Sequence, residues 1–192
     1  MSDLTPLMPR QPVPPLALLL AGGGRFELAA EAPRLMTLVV FYRGLHCQQC
    51  RDYLTELDAA LPDFDRIGVG VVAISGDEAG RAERTPPEWN LQRLRIGYGL
   101  SPRAARDWGL FLTHGRPRPE GSMQEPRWYS EPGVFLVRPD GTLFFSAAQN
   151  MPFARPRFAD ILAGFDFMFE RGYFIDKECP ARGEILTLDE IT

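Results

Sequence analysis

The sequence predicts an α/β fold in which a central mixed sheet is flanked by helices. Residues 35–42 are almost entirely apolar, as is typical of a strand buried on both faces. Apolar residues then recur at helical spacing from Tyr53 to Phe64, with charged residues on the opposite side. A second apolar run follows at 69–74. This strand–helix–strand connection is expected to be right-handed and to place its two strands parallel.

Proline and glycine positions predict the bounds of the elements before this crossover and of its helix. Residues 1–15 are rich in proline and are predicted to be an extended lead-in. Residues 16–20 and 25–28, separated by three glycines, are predicted to form a small β-hairpin ahead of the main sheet. The first helix is expected to span 47–61, because Pro62 lacks the N–H group that would continue it.

The later elements complete a recognisable order. They are a helix starting at Asp77 and Glu78, a short edge strand at 95–98, a helix at 102–108 capped by Ser101, a polar loop at 113–130, a hairpin at 134–137 and 143–146, a helix at 157–171 and a tail at 172–192. Strand, helix, strand, hairpin and closing helix form the thioredoxin-like arrangement, here with an N-terminal β-hairpin extension. The loop at 113–130 either covers the functional site as a lid or is mobile surface.

Size and composition indicate a soluble, single-domain protein spanning residues 1–192. The chain is 45% apolar and 24% charged, which are ordinary values for a globular domain. A formal net charge of -4 argues against nucleic acid or an anionic membrane as a partner. The early apolar run at 16–21 is too short to span a membrane and lacks the order of a signal peptide. We therefore expect a cytoplasmic protein.

Two cysteines, Cys47 and Cys50, lie where the central strand leads into the first turn of the helix. Unpaired N–H groups and the helix dipole favour negative charge there, so a thiol is shifted toward the reactive thiolate. Residues three apart on a helix are also close enough for a disulfide. In a reducing compartment this spacing favours catalysis or metal binding over a structural bridge. We predict a redox dithiol in which Cys47 is the nucleophile and Cys50 resolves the intermediate.

Two neighbouring residues are candidate cations for this site. Arg43 could stabilise the Cys47 thiolate or a peroxide oxygen, or it could be a surface arginine at a strand end. His46 could raise the reactivity of Cys47 or donate a proton, as histidine does near neutral pH, or it could face solvent. Glu131 is a further candidate, as a proton acceptor for Cys50, although a carboxylate at a strand end is the simpler interpretation.

Three segments carry a resemblance to a known family. They are FYRGLHCQQC at 41–50, SEPGVFLVRPDGT at 130–142 and MPFARP at 151–156. The sequence resembles the bacterial peroxiredoxin-like proteins of the alkyl hydroperoxide reductase/thiol-specific antioxidant superfamily over residues 9–184. The resemblance implies a thiol-dependent oxidoreductase with no cofactor, acting on a peroxide or a disulfide and reduced by a thiol such as thioredoxin or glutathione. The resemblance also makes a homodimer possible, but it does not decide the oligomeric state.

The sequence departs from the patterns of its relatives in the site. The peroxiredoxin motif places a proline and a threonine before the reactive cysteine, where this chain has Val40 and Gly44, so the hydroxyl that would orient a peroxide is missing. Thioredoxin's Gly-Pro between the cysteines is replaced by two glutamines, and its buried aspartate is replaced by Phe41. Peroxide and disulfide substrates therefore both stay possible.

Pro132 matches the proline that faces the dithiol in thioredoxin-fold oxidoreductases, where its peptide bond is cis. The resemblance thus implies a cis bond and a backbone edge beside the sulfurs for an extended substrate. The alternative is an ordinary trans proline opening a strand.

Two alternatives to redox catalysis remain. Cys47, Cys50, Cys179 and either His46 or His114 could form a zinc site, although the second C-x-x-C that usually closes such a site is absent. The fold could otherwise serve as an interaction module that does not cycle. Cys179 itself could be a distant resolving cysteine, a metal ligand or a free surface cysteine.

Overall fold

The structure is a computed structural model, and it describes residues 6–172. The first five residues of the predicted lead-in lie outside the described residues. So does the predicted tail at 172–192, apart from its first residue, and with it Cys179. Residues 6–15 contain no strand or helix, but they run along the sheet through backbone hydrogen bonds such as that from Arg10 N to Leu143 O, 2.8 Å.

The described residues contain nine strands and five helices. The strands are β1 Ala17–Leu20, β2 Arg25–Glu27, β3 Met36–Phe41, β4 Val69–Ile74, β5 Ile96–Tyr98, β6 Leu112–His114, β7 Trp128–Ser130, β8 Gly133–Val137 and β9 Leu143–Ala148. The helices are α1 Gln48–Ile67, α2 Ala79–Ala82, α3 Thr85–Trp89, α4 Pro102–Asp107 and α5 Phe158–Glu170, and a single 3-10 turn spans Leu28–Ala30.

Seven strands form one mixed sheet in the order β2-β1-β5-β4-β3-β8-β9. Strands β3, β4 and β5 are parallel, whereas β8, β9 and the N-terminal hairpin pair antiparallel with their neighbours. The predicted mixed sheet and N-terminal hairpin are therefore confirmed. The strand at 95–98 was predicted at a sheet edge, and this is wrong because β1 pairs with β5 and extends the sheet beyond it.

Strand β3 lies at the centre and is buried on both faces, which is why its sequence is apolar without alternation. Leu38 and Val40 pack toward α1, in one core cluster. Val39 and Phe41 pack on the opposite face with Trp108, whose ring lies 5.3 Å from that of Phe41. The chain therefore leaves β3 at the carboxyl end of a central strand, and the packing on both faces of the sheet fixes where it emerges.

Helix α1 is longer than the sequence predicts and runs through Pro62 to Ile67. The predicted end at residue 61 is wrong, because Phe64 and Ile67 continue the buried stripe of the helix onto the core. The gain from burying these side chains outweighs the one hydrogen bond that Pro62 cannot donate. The helix ends at Gly68, which takes the left-handed conformation, with φ +83°, favoured at helix ends.

The segment at 113–130 is not wholly irregular. Its two ends pair as the antiparallel strands β6 and β7, with Thr113 opposite Tyr129. The prediction of a loop without regular structure is thus wrong at its ends. Among residues 6–172, no helix combines the length and apolar character needed to cross a bilayer.

Candidate active site

The candidate site lies where β3 ends and α1 begins, at the carboxyl edge of the parallel strands. The turn between them is closed by a hydrogen bond from Cys47 N to Gly44 O, 3.1 Å. Leu45 N donates to Asp77 Oδ2 at 2.7 Å, so a residue that follows the neighbouring strand β4 anchors this turn. The adjacent ends of two parallel strands therefore set the position of Cys47 before α1 starts.

Asp77 is buried, with 2% of its surface exposed, and sequence patterns predicted it only as a helix start. The helix in fact begins at Ala79, and the Asp77 carboxylate turns inward against Gly44. A Cβ atom at position 44 would lie 2.7 Å from both carboxylate oxygens. Gly44 also has a φ of +124°, a conformation that other residues rarely adopt. The Asp77 carboxylate thus fills the space that a side chain at the motif's threonine position would need.

Cys47 is the N-cap residue of α1, and its sulfur receives two hydrogen bonds from Cys50. The backbone N–H of Cys50 donates to Cys47 Sγ at 3.3 Å, and the Cys50 thiol donates to it at 2.7 Å. Both cysteines are free thiols and both are buried, with 2% and 0% of their surface exposed. This arrangement matches a thiolate at Cys47 next to a protonated thiol at Cys50.

The pKa values of the two thiols are shifted in opposite directions, and this agrees with a thiolate at Cys47. The hydrogen bond from the Cys50 thiol lowers the pKa of Cys47 to about 6, assisted by the Cys50 N–H, Arg43 and Arg155 against the opposing effect of burial. Burial raises the pKa of Cys50 well above its ordinary value, and the adjacent Cys47 sulfur raises it further. Cys47 is thus the sulfur that ionises first.

Arg43 is oriented by Tyr129, near the end of the segment 113–130, and by Glu131, which directly follows that segment. Its Nη2 donates to Tyr129 Oη at 2.5 Å, and its guanidinium lies 4.5 Å from the centre of that ring. Its Nε lies 3.5 Å from Glu131 Oε2, and Glu131 also accepts from Thr113 Oγ1 at 2.6 Å. The structure places Glu131 against Arg43, in the position that suits a carboxylate holding a cation in place.

His46 is buried and lies against Tyr129, with ring centres 4.8 Å apart. Burial, together with the positive charge of Arg43, lowers its pKa to about 4. Since neutral imidazole is then the form present near pH 7, the predicted role of a cation beside Cys47 does not fit this position. Both ring nitrogens lack a hydrogen-bond partner among the described residues.

Arg155 is a site residue that the sequence analysis did not single out. It follows β9 in the chain, yet its Nη2 donates to Cys50 Sγ at 3.3 Å and its Nη1 donates to Gln49 O at 3.4 Å. The guanidinium also lies 5.0 Å from the centre of the Tyr53 ring. Its place in the segment 151–156, one of the three that carry the resemblance, is the signal that could have identified it.

Part of the segment 113–130 covers the turn that carries Cys47. Arg118 Nη1 donates to His46 O at 3.5 Å, and Arg118 Nη2 donates to Glu125 Oε1 at 2.8 Å. Met123 packs against the core cluster that includes both cysteines. These contacts favour the lid interpretation over mobile surface.

Pro132 immediately precedes β8. The first residue of β8, Gly133, pairs with Phe41, the last residue of β3. All peptide bonds of the described residues are trans, so the predicted cis bond is wrong. Extended backbone leads directly into β8 here, and a trans proline fits the start of a strand. The backbone next to it is already paired, because Glu131 N donates to Phe111 O and Gln149 N donates to Pro132 O, both at 2.8 Å.

Within residues 6–172, no three His, Cys, Asp or Glu side chains are grouped so that they could hold a metal ion. The zinc alternative would draw its third sulfur from Cys179, which lies outside these residues. His114 is exposed on β6, whereas His46 is buried beside the thiols. The structure thus brings together Arg43, His46, Cys47 and Cys50, and within the described part of the chain no metal-binding group joins them.

Comparison with known proteins gives a consistent family and fold. The model of the AhpC/TSA family matches residues 9–146. The fold is similar to that of the reduced 2-Cys peroxiredoxin of Plasmodium vivax, with 17% identity, 93% of this chain and 90% of that chain covered, and a TM-score of 0.69. It is also similar to Enterococcus faecalis AhpC, with 16% identity, 92% and 100% covered, and a TM-score of 0.65.

A third solved structure, the peroxidoxin BcpB from Mycobacterium tuberculosis, is 13% identical, with 86% of this chain and 97% of that chain covered and a TM-score of 0.61. At these identities the likeness to solved structures establishes the fold alone, and this is the predicted thioredoxin-like fold. No match to the sequence was found among the curated proteins.

Proposed function

The chain belongs to the AhpC/TSA family of peroxiredoxin-like proteins, and we propose that it is a thiol peroxidase whose Cys47 and Cys50 cycle between dithiol and disulfide. The observation that carries the proposal is the Cys47 sulfur at the start of α1, which accepts hydrogen bonds from the N–H and the thiol of Cys50. With a pKa of about 6, roughly nine tenths of Cys47 is thiolate at pH 7. A nucleophile is therefore present before any substrate arrives.

The cycle begins when the Cys47 thiolate attacks the distal oxygen of a hydroperoxide. The O–O bond breaks, Cys47 becomes a sulfenic acid, and the leaving alkoxide or hydroxide takes a proton. Cys50 then attacks the Cys47 sulfur, releasing water and forming the disulfide. Two equivalents of a thiol reductant, such as glutathione, or one dithiol such as thioredoxin, return the pair to the reduced state.

Arg43 is the residue best placed to act on the oxidant. Its positive charge helps to lower the pKa of Cys47, and Glu131 and Tyr129 hold its guanidinium in one orientation. A fixed cation there stabilises the thiolate and the negative charge that develops on the leaving oxygen. His46 is neutral and buried, which fits a packing role against Tyr129 better than the predicted proton transfer.

A peroxide is favoured as substrate by the closure of the site. Cys47 has 2% of its surface exposed and lies under the segment 113–130, so a small oxidant reaches it more readily than the disulfide of a folded protein. The test is stopped-flow oxidation of the reduced protein by hydrogen peroxide, beside Cys47→Ser and Cys50→Ser. We expect fast oxidation that Cys47→Ser abolishes and Cys50→Ser leaves at the sulfenic acid. A rate no faster than that of free cysteine would contradict the proposal.

A second candidate, reduction of disulfides, is favoured by the missing hydroxyl at position 44. The Asp77 carboxylate fills the space of the threonine that would orient a peroxide, so one element of peroxide recognition is absent. The Cys47 thiolate would attack a disulfide sulfur instead, and Cys50 would release the product. Turnover of a low-molecular-weight disulfide, compared with peroxide under the same conditions, ranks the two substrates.

The proposal also covers the domain organisation, the localisation and the oligomeric state of the protein. We expect one domain over residues 1–192, in the cytoplasm, where a reduced thiol pool is available to regenerate Cys47 and Cys50. The outer edges of the sheet are the strands β2 and β9, and a homodimer could form by pairing along either edge. Light scattering on the reduced and oxidised protein determines whether such a dimer exists.

A further inference from the structure

Cys50 must act as a nucleophile from a position that opposes its ionisation. Its side chain is fully buried, and burial is the largest factor that raises its pKa. In the reduced site the neighbouring Cys47 sulfur raises that pKa further. A thiol in this state attacks slowly unless a cation stabilises its anion, because the thiolate is the reactive form.

Arg155 is the cation in contact with this sulfur. Its Nη2 lies 3.3 Å from Cys50 Sγ, and its Nη1 is tied to the Gln49 carbonyl in the same turn of the helix. The ring of Tyr53 lies beneath the guanidinium, and Tyr53 Oη in turn donates to Pro156 O at 2.6 Å. The helix that carries Cys50 and the loop that carries Arg155 are thus joined at this point.

The two arginines of the site differ in their other partners. Arg43 is paired with Glu131, whereas Arg155 forms no ion pair with a carboxylate of residues 6–172. Within this part of the chain, Arg155 donates to Cys50 Sγ and to the Gln49 carbonyl, and no carboxylate neutralises its charge. Once Cys47 has been oxidised, its negative charge is gone, and Arg155 remains as the cation that touches Cys50.

Given the dithiol cycle proposed above, we propose that Arg155 is a catalytic residue of its second half, stabilising the Cys50 thiolate as it attacks oxidised Cys47. In that step the Cys50 thiol loses its proton, the S–S bond forms and the S–O bond of the Cys47 sulfenic acid breaks. The departing hydroxide takes the proton and leaves as water, so no further oxidant or reductant is consumed. Arg43 serves the first half of the cycle and Arg155 the second.

The test separates the two halves by rapid mixing with one equivalent of hydrogen peroxide, followed by quenching. Dimedone labelling measures the Cys47 sulfenic acid, and mass spectrometry of the intact protein measures the Cys47–Cys50 disulfide. In Arg155→Gln we expect disulfide closure to slow about tenfold or more, since one pKa unit on Cys50 changes its thiolate fraction tenfold. Oxidation of Cys47 should slow less, so the sulfenic acid accumulates. Arg157→Gln, which alters an exposed arginine two positions away, is the matched control.

Two further measurements distinguish catalysis from a structural role. Arg155→Lys keeps the positive charge and should restore most of the closure rate, and raising the pH should accelerate closure in Arg155→Gln more than in the wild type. Equal slowing of both steps, or closure unchanged from Arg157→Gln, would overturn the role of Arg155 while leaving the dithiol cycle intact. A wild-type protein that forms neither the sulfenic acid nor the disulfide would instead overturn the proposed function itself, and this role with it.

Discussion

The carboxylate of Asp77 occupies the space that a side chain at position 44 would need, so Gly44 and Asp77 are matched to each other. A Cβ atom on Gly44 would come within 2.7 Å of both carboxylate oxygens. The same carboxylate accepts the Leu45 N–H, which holds the turn leading to Cys47. A residue with a hydroxyl therefore cannot be introduced at position 44 without displacing the group that supports the site.

Substitution of Gly44 by alanine tests this match. We expect Gly44→Ala to lower the free energy of unfolding by roughly 2–5 kcal/mol, since a positive φ and a steric clash both act against it. The control is Gly99→Ala, where φ is also positive, at +78°, but no atom lies within 4 Å of the added Cβ. That variant should lose only about 1–2 kcal/mol. Equal losses in urea denaturation would show that Asp77 is not the obstacle.

The ionisation of Cys47 depends on its hydrogen bonds to Cys50. The thiol of Cys50 is the largest factor that lowers the pKa of Cys47 to about 6. Cys50→Ala removes that donor and should move the midpoint of thiolate formation upward, whereas Cys50→Ser keeps an O–H donor and should move it less. The midpoint can be measured from the pH dependence of the thiolate absorbance or of alkylation by iodoacetamide. An unchanged midpoint in Cys50→Ala would contradict this source of the low pKa.

Local sequence signals predicted those parts of the fold that depend on neighbouring residues. The apolar run of β3 and the cap provided by Ser101 are local, and the structure confirms the strand and the capped helix α4. The end of α1 was missed, because Pro62 is a strong local signal that the long-range burial of Phe64 and Ile67 overrides.

The residues of the candidate site also divide into those that a local motif predicts and those that only the fold brings together. Arg43, His46, Cys47 and Cys50 lie within eight consecutive positions, so a single motif predicts that they are close. Arg155 lies 105 positions from Cys50, and no local pattern indicates that two such distant residues meet. The contact between Asp77 and the turn depends on which strand lies next to β3, and this is a property of the sheet order.

The pair formed by Arg43 and Glu131 should be strongly coupled, because it is largely buried. The two side chains are 13% and 5% exposed, so the loss of one partner leaves a charge with little access to water. In a double-mutant cycle of Arg43→Met and Glu131→Gln, we expect a coupling energy of about 1–3 kcal/mol. Arg84 and Glu88 form an exposed pair at 2.6 Å and should couple by less than about 1 kcal/mol. Similar values for both pairs in urea denaturation would show that burial does not strengthen the site pair.

His46 should make the stability of the protein depend on pH. Burial and the charge of Arg43 lower its pKa in the folded state to about 4, whereas in the unfolded chain it takes up a proton near its ordinary value of about 6.5. Between these values the unfolded state binds more protons, so the free energy of unfolding decreases as the pH falls through this window. The loss from this one group should reach about 2–3 kcal/mol near pH 4.

The contribution of His46 can be isolated by substitution, since carboxylates titrate in the same range. His46→Phe keeps a ring against Tyr129 but cannot bind a proton, so its free energy of unfolding should fall less between pH 6.5 and 4 than that of the wild type. His114→Asn alters the other histidine of the chain, which is exposed and far from the site in sequence, and serves as the matched control. Parallel curves for wild type and His46→Phe, measured by urea denaturation at each pH, would mean that His46 already binds its proton in the folded state and acts as a cation beside Cys47.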